Sequence, residues 1–200
     1  QSPSHPSAWA RLELGFVAPQ RIDSGSAEVR LAPTEQQPGA VLLSAGLPAK
    51  QYFLLENRQR IGFDSYLPGE GLLVFHVDES RSDNDDQSRY LVDLEQADGR
   101  RDLNASPWGR GDATDPFPLP DVDSFTPATS PGSVGYGSVN GSLWVTRIAR
   151  EGRQVTFDVE VRPPGVAGAA CGSGFECERG FCVDGVCCQS ACEGPCLTCS

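Results

Sequence analysis

The chain has 200 residues, a formal net charge of −11 and 38% hydrophobic residues, with 22 glycines and 16 prolines. That length suits one domain of moderate size, or one domain plus a small module. The negative charge weighs against nucleic acid or an anionic membrane surface as partner, and the glycine and proline content favours a turn-rich β fold over a helical bundle.

The sequence has no methionine and reads as a processed product or an excised fragment. The opening "QSPSHPSAWA" has no basic region followed by an apolar stretch, so no signal peptide is expected. No apolar run reaches the length of a membrane-spanning helix.

The first predicted element is a short helix in "SPSHPSAWARLELG", with Ser4 as N-cap and Pro6 in the first turn. Trp9, Leu12 and Phe16 share one face, and Gly15 is the natural stop. Then the period changes to two. Strands are predicted at Ala27–Pro33, Ala40–Gly46, Gln51–Arg58, Gly71–Glu79 and Arg89–Gln96. The turn signals "QQPGA", "GLPAK" and "LPGEG" and the polar loop "SRSDNDDQS" separate them.

From Gly99 to Gly141 the alternation dissolves into Asp, Gly, Pro and Ser, the composition of a functional, ion-bound or loosely ordered segment. Two further strands, Ser142–Ala149 and Gln154–Val161, flank the hairpin turn "REGR". The expected fold is mainly β, an antiparallel sheet or sandwich with one short N-terminal helix. Residues 1–162 form this body, 163–170 a small-residue linker, and 171–200 a cysteine-rich module.

The body carries two histidines, His5 and His76, and no cysteine. His76 lies inside the strand "GEGLLVFHVDES", where alternation places it with Leu72, Val74 and Asp78 on one face. A protein zinc site needs three or four ligands, so His76 reads as a scaffold residue or cleft wall. The sequence contains no H-E-x-x-H, G-x-S-x-G, G-x-x-x-x-G-K or G-x-G-x-x-G. By itself the chain does not read as an enzyme.

The loop from Ala97 to Pro116 clusters short oxygen-bearing side chains with glycine, as calcium requires. Asp98, Asp102, Asn104, Asp112 and Asp115 are candidate ligands, although their spacing is not that of an EF-hand. The alternative is a solvated acidic loop. Arg110–Asp112 spells the adhesion tripeptide RGD, which reads more simply as a turn.

All eight cysteines, Cys171, Cys177, Cys182, Cys187, Cys188, Cys192, Cys196 and Cys199, lie in the last thirty residues. So short a segment cannot build a core and is expected to be held by disulfides, which implies an oxidising, secreted or cell-surface location. Eight cysteines allow 105 pairings, and the sequence does not choose among them.

Several stretches, taken in order, resemble a known family. They are "HPSAWARLELGFV", "QYFLLENRQRIGFDSYLPGEGLLVFHVDES", "VDLEQADGRRDLN", "RGDATDPFP" and "SLWVTRIAREGRQVTFDVEV". Together they are similar to the C-terminal part of the catalytic region of the immune inhibitor A-like secreted bacterial zinc metalloproteases. The resemblance spans roughly residues 5 to 161, and the tail resembles cysteine-rich modules of bacterial surface proteins.

The resemblance implies a parent zinc endopeptidase acting on protein substrates. Its zinc helix would lie upstream, in the rest of the catalytic domain, so no zinc or base residue carries over to this sequence. His76 and Trp9 would then help form the scaffold or cleft wall behind that helix. The competing expectation is a secreted β module that binds calcium or a partner and carries a cysteine-rich stalk.

Overall fold

The structure is a computed structural model that describes residues 3–104 and 109–191. The helix α1, Ala8–Glu13, is capped by Ser7, whose Oγ accepts from Ala10 N–H at 3.3 Å. Expectation and structure differ here. Ser4 is not the cap, and Pro6 precedes the helix. The C-terminal end closes as a Schellman motif: Phe16 N–H donates to the Arg11 carbonyl and Gly15 N–H to that of Leu12. Gly15 adopts φ +72°, which a Cβ would disfavour.

Three sheets follow. The largest takes β1 (Gln20–Arg21), β3 (Val41–Leu43), β4 (Gln51–Arg58), β5 (Gly71–Asp78) and β6 (Val92–Leu94), in that spatial order. All its pairings are antiparallel except β1 with β3. The second sheet has β8 (Gln154–Val161) between β2 (Gly25–Leu31) and β7 (Leu143–Glu151), antiparallel on both sides. A hairpin of β9 (Phe181–Val183) and β10 (Val186–Cys188) forms the third. The fold is thus mainly antiparallel β with one short helix and a disulfide-rich C-terminal stretch.

Alternation along β4 explains the layering. Phe53 and Leu55 point one way, joining Val74 of β5 and Val29, Val145, Phe157 and Val159 of the second sheet in the main core. Leu54 and Tyr52 point the other way, with Leu42, Phe75 and Val77, and Ala8, Trp9 and Leu12 of α1 pack over them. The five-stranded sheet is therefore the middle layer, covered by sheet on one face and helix on the other.

The segment from Gly99 to Gly141 holds little regular structure, yet it delivers Phe117 and Phe125 into the main core, both without exposure. Each fully buried phenylalanine contributes about 1.5–3 kcal/mol of transfer free energy. Single ladder contacts hold them, Phe117 against Leu72 and Phe125 against Val145. The approach at Gly71 is close: a Cβ there would meet the Phe117 carbonyl oxygen at 2.3 Å.

The C-terminal hairpin is cross-linked by Cys171–Cys182 and Cys177–Cys187. Cys188 is disulfide-bonded as well, and Cys192, Cys196 and Cys199 lie outside the described residues. The stretch expected as a linker is woven into this hairpin. Gly165 N–H donates to the Glu176 carbonyl, and Cys187 N–H donates to that of Ala169. The hairpin also touches the body, where Gly141 N–H donates to the Phe175 carbonyl and Asn140 Nδ2 to that of Glu178.

Candidate functional site

Two buried polar centres lie on opposite faces of the β4–β5 hairpin. The first is on the helix side. Arg58, on the face shared by Tyr52 and Leu54, donates to Glu56 Oε1 at 2.7 Å and to Asp64 Oδ2 at 2.9 Å. It also donates to the main-chain carbonyls of His5 and Pro6, both at 2.9 Å. Arg11 of α1 reaches the other oxygen of Glu56 at 2.5 Å. Asp64 in turn accepts from the His5 backbone N–H at 2.8 Å and lies 3.2 Å from the His5 ring.

This centre ties the segment ahead of α1, and α1 itself, to the middle sheet. Burial pushes the Asp64 carboxyl upward, but the His5 N–H and the Arg58 charge outweigh it and hold the group below its usual range. Glu35 goes the other way. Burial raises it, and the adjacent Asp64 carboxylate adds to that rise despite the Gln59 N–H it accepts.

The second centre surrounds His76, which is 1% exposed. Gln51 grips the Tyr136 main chain twice: Tyr136 N–H donates to Oε1 at 2.8 Å, and Nε2 donates to the Tyr136 carbonyl at 3.1 Å. That pairing turns the amide oxygen toward His76 Nε2, 3.1 Å away, so the ring donates there. Nδ1 faces Glu95 Oε1 at 3.3 Å. Tyr136 stacks on the imidazole, centroid to centroid 4.2 Å, and its hydroxyl donates to Asp93 at 3.3 Å. Burial, and then the nearby Asp93 and Glu95 charges, raise the Tyr136 phenol. Buried, bonded to Gln51 and roofed by Tyr136, this histidine ties β5 to the loop that carries Tyr136.

The candidate calcium ligands are only partly brought together. Thr114 Oγ1 donates to Asp98 and to Asp112, at 2.6 Å each, and Asp112 N–H donates to Asp115 Oδ2 at 2.6 Å. Burial raises the Asp115 carboxyl, and the charges of Asp112, Asp98 and Asp102 raise it further. Asn104 turns away and donates to Asp93 at 3.0 Å, and Asp102 sits in an exposed 3-10 turn. These five side chains do not close on a single point. Among the described residues, the cluster with ligand atoms within 4.8 Å of one another is Cys171, Cys177 and Cys187, whose sulfurs are in disulfides. The RGD aspartate is engaged with Thr114.

An open cleft of about 700 Å³ lies where α1 ends, between Leu12, Glu13, Pro19 and Arg21 on one side and Leu47, Pro48, Lys50 and Tyr52 on the other. Tyr52 donates to Glu79 at 3.0 Å on its wall. Trp9 packs the helix onto the sheet beside this cleft and does not line it.

No family model, curated protein or solved structure matches this chain.

The Arg58 centre and the cleft assemble residues that lie far apart in the sequence. The sequence does carry a signal for the first. In "QYFLLENR" the polar Glu56 and Arg58 continue the phase of Tyr52 and Leu54, which places two charges on an inward face.

Proposed function

We propose that this chain is the non-zinc-binding, C-terminal portion of a secreted zinc endopeptidase catalytic region, with the disulfide module attached. Its role is to buttress the zinc-bearing segment. The resemblance of residues 5–161 to the immune inhibitor A-like proteases is one support. The observation that carries the reading is the Arg58 centre. The segment "HPSAW", which in that family follows the zinc helix, is fastened to the middle sheet by Arg58, Asp64, Glu56 and Arg11. A segment anchored by several charge-assisted bonds transmits little motion, which is what a support behind a catalytic helix needs. Leu14 and Phe16 just after α1, with Phe63 against His5, leave apolar surface on this side for an upstream segment to cover. The cross-linked tail fits an oxidising location.

The test uses the 200-residue chain beside the longer product of the same gene. The 200-residue chain is expected to hold no zinc after dialysis and to leave casein intact. The longer product is expected to carry H-E-x-x-H upstream of Gln1 and to hydrolyse casein until a chelator is added. Chelator-sensitive hydrolysis by the 200-residue chain, or an upstream sequence without the motif, overturns the proposal. The rival reading, a calcium-binding β module, gains if calcium raises the thermal midpoint of the chain.

A further inference from the structure

Lys50 is the only lysine among fifteen arginines. It stands third in the turn Pro48–Gln51, closed by Gln51 N–H on the Pro48 carbonyl at 3.0 Å. There it adopts φ +71°, a conformation that suits glycine or asparagine and costs other residues on the order of 1 kcal/mol. Three of the four non-glycine residues with positive φ among the described residues are basic, and each lines a different cavity: Lys50, Arg101 and Arg147. Arg101 is held by an ion pair to Asp93, and Arg147 by one to Asp158. Lys50 has no such partner. Its ammonium makes no hydrogen bond or ion pair with a described residue, and neither does the carboxylate of Glu13 on the same cleft.

The turn itself requires a positive φ at this position, and a lysine there, in place of glycine, puts an exposed and unpaired ammonium on the cleft. The rest of the lining defines what that ammonium could hold. Leu12, Leu42, Leu47, Pro19 and Pro48 offer apolar contact. Arg21 stands with Lys50 as a second cation; its approach to Asp23, 3.9 Å between exposed groups, commits it little. Glu13 supplies an anion free to receive a cation.

We propose that this cleft binds a short apolar peptide with free termini, its carboxylate on Lys50 and Arg21, its ammonium on Glu13 and its side chains on the leucine and proline wall. A fatty acid shares the apolar body and the carboxylate but leaves Glu13 unanswered, so the peptide is the better fit. The inference stands whether or not the chain belongs to a protease.

Calorimetric titration of the full chain, disulfides intact, with tri-leucine tests it. Saturable binding below about 10 mM is expected, weakened at least about fivefold by C-terminal amidation and again by N-acetylation. Lys50→Arg is expected to retain binding. Lys50→Asn is expected to weaken it at least about fivefold while raising the thermal midpoint, because asparagine relieves the turn. No heat of binding up to about 10 mM, equal affinity for the amide, unchanged affinity in Lys50→Asn, or tighter binding of decanoate than of tri-leucine each overturns the proposal.

Discussion

Every side chain of β4, from Gln51 to Arg58, is buried, whereas in residues 171–191 only Cys177, Cys187 and Cys188 are. The first region is held by packing on both faces and by charges that neutralise one another out of water. The second has almost no interior and is held by cross-links. The hairpin therefore depends on complementarity among residues far apart in sequence, and the module depends on the redox state of its surroundings. One chain carries two kinds of stability that fail under different conditions.

The largest way to break that contrast is Arg58→Met. It leaves Glu56 and Asp64 as buried carboxylates with a lost counter-charge, which costs about 3–5 kcal/mol. Urea denaturation is expected to show the loss, with α1 loosened and the Cys171–Cys182 and Cys177–Cys187 disulfides intact. A loss under about 1 kcal/mol would mean that packing alone holds the helix.

Reduction strikes the other region. Each disulfide closes a loop of about ten residues and constrains the unfolded module by about 3 kcal/mol. With a thiol reductant, amide protection at Cys187 is expected to vanish while that at Leu54 and Phe75 persists. Simultaneous loss at all three would show that the module and the body fold as one unit.

The smallest effect sharpens the picture of the buried charges. The depressed Asp64 carboxyl contributes stability above its unfolded pKa of about 3.9, and that contribution is lost as pH falls through the folded value. Glu35 has the opposite sign. Its raised carboxyl favours folding below its unfolded pKa of about 4.3, and the advantage is lost as pH rises through the folded value. Glu35→Gln, a neutral isostere, is expected to raise the thermal midpoint at pH 7 and to leave it unchanged near pH 3. A gain that persists at pH 3 would trace to packing instead.

Local pattern made part of this fold legible. The boundaries of β4 and β8 follow from alternation bounded by turn residues, and the faces of β5 follow from period two. Ser4 and Ser7 offer the same capping chemistry, so the sequence alone does not locate the helix start. Only the fold chooses between them, by fastening His5 and Pro6 to Arg58. From Gly99 to Gly141 the sequence conceals its role, since Phe117 and Phe125 stand alone between prolines and pair with strands many residues away. The same holds for the polar centres. His76 was visible as an anomaly, but Gln51, Glu95 and Tyr136 join it only through the fold. Lys50 stands out in the sequence as the lone lysine, but its place in a closed turn on the cleft wall appears only in the fold.

Residues 162–170 join the end of β8 to the module, and β8 is the central strand of its sheet. Tension on the tail along that strand is therefore resisted by two ladders at once, those to β2 and to β7. The disulfides keep the module from paying out length before the load arrives. A load applied to the module would therefore reach the body through the central strand of its sheet.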